Sequence, residues 1–338
     1  MGINLKKLAS TLNLSISTVS RALRDSPEIS ISTKKRVQKK AKELNYVANP
    51  FASNLRNQKS KTIAVIIPAI ANNFFSQAIN GAESFAQQKG YHVLIYQTHE
   101  QLEKEIAVAN HLQNGRVDGI IISLTQETYD TTHLKQLMDQ KIPLVFFDRV
   151  AENLQAPKIT TNDFESAFIG AEHLIKNGAT KIGFIGISEA LAINNNRLSG
   201  CLAAMQKHKI TIDKSLHLIC DETIEKNKQK IKKLLASKNK PNAIFCCVEE
   251  LAISTYEICQ ELGINVPKEL KVISYSNLKT NNILISSLTT ITQPAYDIGR
   301  EAASELFKMM DKKEYASVNK EIILASTLII RNSTKALR

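Results

Sequence analysis

The stretch SISTVSRAL combines small hydroxyl side chains with one guanidinium group. Its spacing predicts a helix over residues 16–23, capped by Ser15, with an apolar stripe turned inward. The residues turned outward are Ile16, Ser17, Ser20 and Arg21. Short hydroxyl side chains let a helix approach phosphates closely, and the guanidinium of Arg21 can donate two hydrogen bonds to a guanine edge. The stretch therefore predicts a helix that lies in the major groove of DNA.

Two further helices are predicted on either side of this one. A first helix over 5–12 begins behind the cap residue Asn4, and a third runs from about 31 to 44 behind Ser30. Three short helices at this spacing are typical of a helix-turn-helix domain. The alternative is another small three-helix domain in which the serines only cap helices.

Positive charge is concentrated in the same part of the chain. Residues 1–61 contain 13 Lys and Arg against 3 Asp and Glu, whereas residues 62–338 contain 31 against 29. Lysines and arginines that neutralise phosphates release counterions and gain affinity, so this imbalance favours a polyanionic partner. A solubilising charged face would be the simpler explanation for a lysine run without a motif.

The segment NYVANPFASNLRNQKSKT follows the third helix. Asn49 and Pro50 are a suitable cap and first-turn pair, and Phe51, Ala52 and Leu55 could share one face of a short helix. Such a helix is too short to be stable alone. We expect it to fold only when something holds it.

From Thr62 onward, apolar runs typical of buried strands alternate with segments of helical length. The runs are TIAVII, YHVLIY, VDGIII, IPLVFFD, KIGFIGI, NAIFCCV and KVISYS, and the helical segments are 74–89, 102–113, 164–177, 194–208, 224–236 and 249–261. This alternation predicts parallel sheets covered by helices on both faces. A break at 149–158 indicates a change of lobe near 149–160, so we expect an α/β fold of two lobes with a cleft between them. We also expect a second crossover near 278–295 and pairing of EIILASTLIIR with the second lobe.

No catalytic motif is found in the chain. The segment IIPAIANNFF lacks the glycine loops that hold dinucleotides or nucleotide phosphates, and neither H-E-x-x-H nor G-x-S-x-G occurs. The five cysteines show no C-x-x-C and no histidine at zinc-ligand spacing, so we interpret them as reduced core residues. We expect no enzyme activity, no cofactor and no metal. A sugar-processing enzyme with an accessory domain is a rival hypothesis.

The chain opens without the apolar core of a signal peptide, and no apolar stretch approaches the roughly 20 residues that span a bilayer. We therefore expect a cytoplasmic protein without membrane contact.

Polar and aromatic residues lie at the ends of predicted strands, where open α/β sheets bind ligands. Phe74 and Phe75 follow the first strand, and either could stack on a sugar or a base or pack in the core. Asp148 ends the fourth strand, and Arg197 lies near the start of a helix. A carboxylate and a guanidinium there could bind ligand hydroxyls or an anionic group. Alternatively, the two form a salt bridge between the lobes.

These patterns resemble the LacI/GalR family of bacterial transcriptional repressors. The matching stretches of the head are SISTVSRAL, DSPEIS, ELNY and NPFASNLR. Those of the body include NNFFSQAINGAE, RVDGIIIS, AEHLIKNGATKIGFIG, LGINVPKELKVISYSN and SLTTITQPAYDIGREA. The resemblance covers essentially the whole chain, and the family's body is itself similar to periplasmic sugar-binding proteins.

The resemblance implies that the short helix after Asn49 is a hinge. It would order on operator DNA, pair with its twin across a dimer, and wedge Leu55 into a minor-groove step, as apolar side chains that kink a duplex do. The chain departs from the family in carrying Ala48 where a proline is usual, with Pro50 two positions later. The residues expected at DNA are Leu5, Ser15, Ile16, Ser17, Thr18, Ser20, Arg21, Asn49, Ala52, Leu55 and Arg56.

For the body, the resemblance implies an effector between the lobes, with a sugar or sugar phosphate as the family's usual ligand. The residues expected to contact it are Phe74, Phe75, Asp148, Arg197, Ser276 and Asn277. Two departures affect this site. Val248 and Glu249 stand where many members have Asn-Asp, and Ser276 and Asn277 stand in what is often an acidic turn. A missing carboxylate would remove an acceptor pair that commonly binds sugar hydroxyls.

We therefore expect a bacterial sequence-specific DNA-binding regulator, and a repressor, found on the nucleoid when bound. It would act as a homodimer on a near-palindromic operator under control of a small-molecule effector. The expected domains are a helix-turn-helix domain over 1–47, a hinge helix and linker over 48–61, and an effector-binding and dimerisation core over 62–338. The final RNSTKALR carries no leucine heptad, which favours a dimer over a tetramer. The alternative is a solute-binding protein without a transcriptional role, for which a signal peptide and no basic head would be expected.

Overall fold

The computed structural model describes residues 3–46, 60–113, 116–220, 223–278, 286–311 and 319–335. The chain forms two compact units, Met1–Ser60 and Lys61–Arg338. The expected hinge residues lie outside the described part of the chain; they are Asn49, Ala52, Leu55 and Arg56. Among the described residues, no helix has the length and apolar character that a membrane span requires.

Three helices form the first unit: α1 (Leu5–Leu12), α2 (Ile16–Leu23) and α3 (Ile31–Glu43). The predicted bounds are confirmed to within one residue. Each helix begins where a side-chain oxygen accepts a hydrogen bond from a backbone N–H of the first turn. Asn4 accepts from Lys7 at 2.9 Å, and Ser15 accepts from Thr18 at 3.0 Å. Ser30 caps α3 in the same way.

The apolar stripes of these helices meet in one small core. Its buried members are Leu8, Ala9, Leu12, Val19, Ala22, Val37 and Ala41. Half-buried neighbours such as Leu5, Leu23 and Leu44 pack around them. The polar faces of all three helices are consequently left on the surface.

The first lobe of the second unit is built on a parallel sheet. Its strands are β1 (Thr62–Ile67), β2 (His92–Gln97), β3 (Gly119–Ile122), β4 (Leu144–Phe147), β5 (Lys158–Thr161) and β11 (Glu321–Leu324), in the order β11-β5-β4-β3-β1-β2. The helices are α4 (Asn73–Gln88), α5 (Leu102–Leu112), α6 (Thr132–Asp139) and α11 (Ala295–Asp311). Helices α4 and α11 cover one face, and the buried residues of α5 and α6 pack on the other.

The second lobe repeats this plan. Its strands are β6 (Ile182–Gly186), β7 (His217–Ile219), β8 (Ala243–Cys246), β9 (Lys271–Tyr275), β10 (Thr289–Thr292) and β12 (Thr327–Ile329), in the order β12-β10-β9-β8-β6-β7. Helices α7 (Asp163–Lys176), α8 (Ala192–Lys207), α9 (Ile224–Ala236) and α10 (Glu249–Leu262) cover it. All pairs are parallel except β10 with β12, which is antiparallel. The five cysteines are buried in this lobe.

The chain passes between the lobes at 162, 293–294 and 325–326 within its described part. The segment 149–158 connects β4 and β5 inside the first lobe, so the change of lobe falls after β5. Pairing of EIILASTLIIR with the second lobe is wrong for its first half, because β11 joins β5 and only β12 joins β10. At the switch, the Ser326 N–H donates to Asn162 Oδ1 at 2.8 Å, which ties two crossovers together.

Three strands and two helices of the second unit are not predicted by the sequence pattern. Strands β5 and β10 read KITT and TTIT, which are too polar to be recognised as buried strands, and β7 reads HLI, which is too short. Helices α6 and α11 are also not predicted. All of these elements acquire their structure by pairing or packing with distant parts of the chain.

Candidate functional site

The outward face of α2 presents the predicted hydroxyl and guanidinium groups. Ile16, Ser17 and Arg21 are exposed, whereas Thr18 and Ser20 are half-buried. The hydroxyl of Ser15 is engaged as the cap of the helix and contacts the Ser17 hydroxyl at 2.8 Å. A rigid, capped helix thus displays short polar side chains beside one long cation.

Arg21 does not extend freely from this face. Its Nη1 forms a 2.7 Å ion pair with Glu28, which lies in the turn between α2 and α3. Both side chains are largely exposed, so the pair contributes little to folding. A carboxylate beside the arginine holds its side chain in one direction until a stronger acceptor replaces it.

Other residues of the first unit have structural roles. Leu5 packs half-buried against the core of the unit. Arg36 donates to the carbonyl of Leu12 at 2.7 Å and so joins α3 to α1. The exposed lysines of α3, such as Lys35 and Lys39, leave a basic surface that suits phosphates.

A cleft lies between the two lobes of the second unit. All six residues expected to contact an effector line one inner cavity there. The carboxyl ends of β1 and β4 supply the first-lobe residues, and the ends of β8 and β9 with helix α8 supply those of the second lobe. The inner cavity measures about 30 Å³ and adjoins an outer one of about 220 Å³. An inner space of that size holds about two water molecules, so a sugar ring enters it only when the lobes move apart.

Among the described residues that line the cleft, Arg197 is the most deeply buried charged side chain. It is 1% exposed, its Nε donates to Asp163 Oδ1 at 2.7 Å, and its Nη1 donates to the Cys247 carbonyl at 2.7 Å. The guanidinium also lies 3.6 Å from the ring centroid of Tyr275. Burial alone would lower the pKa of Arg197, but the attraction of Asp163 together with that of other groups around it outweighs burial and raises the pKa. The guanidinium is therefore permanently charged and fixed in direction.

The alternative of an Asp148–Arg197 salt bridge is wrong. Arg197 pairs with Asp163, and both belong to the second lobe. Asp148 follows β4 with a left-handed φ of 58° and accepts a hydrogen bond from Gln293 at 3.2 Å. Burial raises the pKa of Asp148 above its ordinary value.

The turn at Ser276 and Asn277 carries no carboxylate, but Glu249 supplies one beside it. Glu249 begins α10, is 8% exposed, and points its carboxylate into the cleft. It accepts from the Ser276 hydroxyl at 2.6 Å and from the Asn277 N–H at 3.1 Å within its own lobe. It also accepts from Asn73 of the first lobe at 2.7 Å. Glu249 is thus a link between the lobes, and an acidic residue in the first turn after a buried strand was the signal for it.

A second hydrogen bond crosses the cleft close by. Gln77 of α4 donates to the carbonyl of Asn277 at 3.2 Å. The lobes are therefore held together at the site where a ligand would lie.

Phe74 and Phe75 belong to the core of the first lobe and also line the inner cavity. They are 7% and 3% exposed and pack edge-to-face with each other, and Phe147 lies 6.1 Å from Phe75. Core packing of both rings is therefore confirmed, and stacking on a ligand stays a prediction.

Two buried polar atoms belonging to residues that line the inner cavity have no hydrogen-bond partner among the described residues. They are Nη2 of Arg197, a donor, and Oδ1 of Asn277, an acceptor. The other end of the Asn277 amide donates to the Gln293 carbonyl at 2.8 Å, which fixes its orientation. Buried groups of this kind are normally satisfied, so the pair indicates a place for a ligand's polar groups.

The cleft also contains residues that the sequence analysis did not select. They are Asn73, Arg149, Asp163, Tyr275, Glu249 and Gln293. Tyr275 is the last residue of β9, and Arg149, Asp163 and Gln293 lie one or two positions after a strand. Within the described residues, no group of three or more His, Cys, Asp or Glu side chains could hold a metal ion.

Comparison with known proteins relates both units to characterised families. Residues 4–49 match the family described as bacterial regulatory proteins, lacI family, and residues 171–334 match a periplasmic binding protein-like domain. The HTH-type transcriptional repressor CytR of Escherichia coli K12 is 31% identical over 98% of this chain and 96% of its own length. Catabolite control protein A of Priestia megaterium is 29% identical over 99% of this chain and 100% of its own length.

A solved structure shares the fold over nearly the full length. The lac repressor dimer bound to operator and the anti-inducer ONPF superposes with a TM-score of 0.85 at 22% identity. The match covers 99% of this chain and 100% of that one.

Proposed function

Since the chain belongs to the lacI family of bacterial regulatory proteins, it is a DNA-binding transcriptional regulator and not an enzyme, and we propose that it represses transcription from a near-palindromic operator. Members of the family bind operators as dimers under the control of small molecules. The observation that carries the proposal is the face of α2, where hydroxyls and Arg21 stand on a capped helix beside a basic α3. Two such faces related by a twofold axis would read two half-sites.

We further propose a division of labour along the chain. Residues 1–47 bind the major groove, residues 48–61 form the hinge and linker, and residues 62–338 bind the effector and dimerise. Leu5, Ser15 and Thr18 would contact the phosphate backbone or support those contacts, while Asn49, Ala52, Leu55 and Arg56 would act in the hinge. The protein would work in the cytoplasm, on the nucleoid when bound.

The effector would act by changing the relative position of the lobes. Phe74, Phe75, Asp148, Arg197, Ser276 and Asn277 are the proposed contacts. A ligand that binds one lobe arrangement more tightly shifts the population toward it, by an amount set by the difference in its two affinities. The hinge helices of the dimer would then either meet and fold on DNA or separate and unfold.

Arg21→Ala tests the recognition helix. An operator is first selected from a pool of random duplexes, and affinity for it and for a scrambled duplex is measured by fluorescence anisotropy. Losing a two-bond contact to a base should cost about 1–3 kcal/mol of discrimination, roughly tenfold or more. Binding of effector and the thermal stability of the second unit should not change.

Lys39→Ala is the charge-matched control, because it removes one positive charge from the exposed face of α3. It should weaken both duplexes similarly and reduce the salt dependence of binding by about one counterion. Equal discrimination by Arg21→Ala and the wild-type protein would show that another element reads the operator.

A further inference from the structure

We propose that the effector is an uncharged molecule carrying hydroxyl groups, and that the cleft excludes sugar phosphates and other anions. This deepens the proposed function, on which it rests, by deciding between the two ligand classes that the sequence leaves open.

Both cations of the cleft are already neutralised. Arg149 is 8% exposed, and its Nη1 contacts the two carboxylate oxygens of Glu100 at 2.9 and 2.7 Å. Arg197 is paired with Asp163 at 2.7 Å. A phosphate would have to compete with the buried Asp163 for Arg197 and with the half-buried Glu100 for Arg149, and removing one partner of a buried pair leaves an uncompensated buried charge.

The remaining charges of the cleft are negative. Besides Asp163, which is paired with Arg197, four carboxylates line the outer cavity: Asp148, Glu152, Glu165 and Glu321. Glu249 adds another at the inner cavity. Among the described residues that line the two cavities, Arg149 and Arg197 are the cations, and no lysine is present. Like charges brought together at an interface cost several kcal/mol, so a dianionic ligand is disfavoured.

The helix termini at the cleft are also occupied. The N-terminus of a helix is the usual backbone site for a phosphate. Here α10 carries Glu249 and Glu250 in its first turn, and α7 carries Asp163 and Glu165. These carboxylates take the favourable positions that a phosphate would need.

The two unpartnered atoms identify what fits instead. Arg197 Nη2 needs an acceptor, and Asn277 Oδ1 needs a donor. A hydroxyl group is both donor and acceptor, whereas a phosphate dianion offers only acceptors and leaves the amide oxygen unsatisfied. The hydroxyls of a neutral sugar or nucleoside satisfy both atoms without adding charge.

Matched pairs of ligands test the proposal on the full-length protein. Ribose, glucose, cytidine and adenosine are titrated by calorimetry and thermal shift beside ribose 5-phosphate, glucose 6-phosphate, CMP and AMP, with inorganic phosphate and glucosamine as further probes. We expect at least one neutral compound to bind and its phosphate ester to bind more than about 100-fold more weakly. The proposal is overturned if an ester binds as well as its neutral partner, if phosphate competes, if glucosamine binds better than glucose, or if no neutral compound binds.

Substitutions of the cavity carboxylates test whether they cause the difference in affinity between a neutral compound and its phosphate ester. Glu165→Gln with Glu321→Gln removes two negative charges from the outer cavity and should narrow the difference between neutral compound and ester by at least about tenfold. Glu257→Gln is the control, because Glu257 pairs with Lys228 on the exposed side of α10 and does not line either cavity. An unchanged ratio in the double variant would overturn the electrostatic argument.

A second measurement separates this proposal from the proposed function. The bound compound is added to the complex with the selected operator. A neutral compound that binds without changing operator affinity supports the ligand class and argues against its regulatory role. An anion that changes operator affinity supports regulation and overturns the ligand class.

Discussion

At Asp148 a left-handed backbone and a half-buried acid coincide. Its φ of 58° lies in the left-handed region, which Asn and Asp tolerate better than other side chains. The fold therefore keeps an aspartate in a position that opposes its ionisation. An energetic cost of this kind, from an unfavourable backbone conformation and a desolvated carboxylate, is typical of functional sites, where the surrounding structure overrides local conformational preference. The carboxyl also accepts from Gln293 at the crossover, so it senses both lobes.

Asp148→Asn should stabilise the protein at neutral pH. Because burial raises the pKa of Asp148 from 3.8, the folded state binds its proton more tightly than the unfolded chain does. Ionisation of Asp148 therefore destabilises the folded state. This destabilisation is fully present above the raised pKa and disappears as the pH falls below 3.8. The variant should show a higher Tm at pH 7–8 and a smaller gain toward pH 4, measured by thermal unfolding.

The control for this prediction has the opposite sign. Hydrogen bonds from Thr132 lower the pKa of Asp130, so Asp130→Asn should lose rather than gain stability at neutral pH. An Asp148→Asn protein with an unchanged or lower Tm at pH 7 would contradict the conclusion that ionisation of Asp148 destabilises the fold.

Helices α4 and α11 show how an element far along the chain is held on the first lobe. They cross where Gly81 and Gly299 bring the two backbones into contact. A Cβ atom on Gly299 would collide with the carbonyl of Ala78, and one on Gly81 would collide with the carbonyl of Tyr296. Neither backbone can move aside without moving its helix. This contact fixes α11 immediately after the chain has crossed at 293–294.

Gly299→Ala should therefore be strongly destabilising. Overpacking of a tight interior contact typically costs about 1–3 kcal/mol, and a backbone collision belongs at the upper end. Urea unfolding monitored by circular dichroism measures the loss in the free energy of unfolding. Gly90→Asn is the control, because Gly90 has open space around it and a φ of 71° that Asn accepts. Equal stability of the two variants would mean that the helices separate without cost.

At the scale of the second unit, hydrogen bonds from Asn73 to Glu249 and from Gln77 to Asn277 bridge the lobes on the cleft, in addition to the bond from Gln293 at the crossover to Asp148. Each is worth only about 0.5–1.5 kcal/mol, or somewhat more where a carboxylate accepts. Bonds of that strength hold the lobes together without locking them, as a regulated cleft requires. If the bond to Asn73 breaks, the Glu249 carboxylate still has its hydrogen bonds from Ser276 and Asn277 in its own lobe.

Asn73→Ala should shift the unliganded protein toward an open arrangement. Losing one bridging bond of about 1 kcal/mol changes the ratio of closed to open molecules about fivefold. Small-angle scattering should give a larger radius of gyration without ligand, and stopped-flow fluorescence should give faster association of a bound compound. Asn110→Ala, on the exposed side of α5, is the control. Identical scattering of the Asn73 variant and the wild-type protein would show that this bond does not govern the lobes.

The sequence alone determined the helices of the first unit. Ser15 and Ser30 cap their helices through contacts three residues away, and the stripe from Val19 to Ala22 is a local pattern. The sequence pattern also predicted that Asp148, Arg197, Ser276 and Asn277 lie in one cleft, because the carboxyl ends of parallel strands meet there.

Only the tertiary structure decided the partners of these groups. Arg197 pairs with Asp163, which is 34 positions away, and Glu249 bonds to Asn73 across 176 positions. The sequence pattern likewise could not predict that β11 and β12 join different lobes, because both are short apolar runs. Caps and helical stripes are set by interactions within one or two turns. The choice among several carboxylates or several open sheet edges depends on how helices and strands pack, and no local spacing encodes that choice.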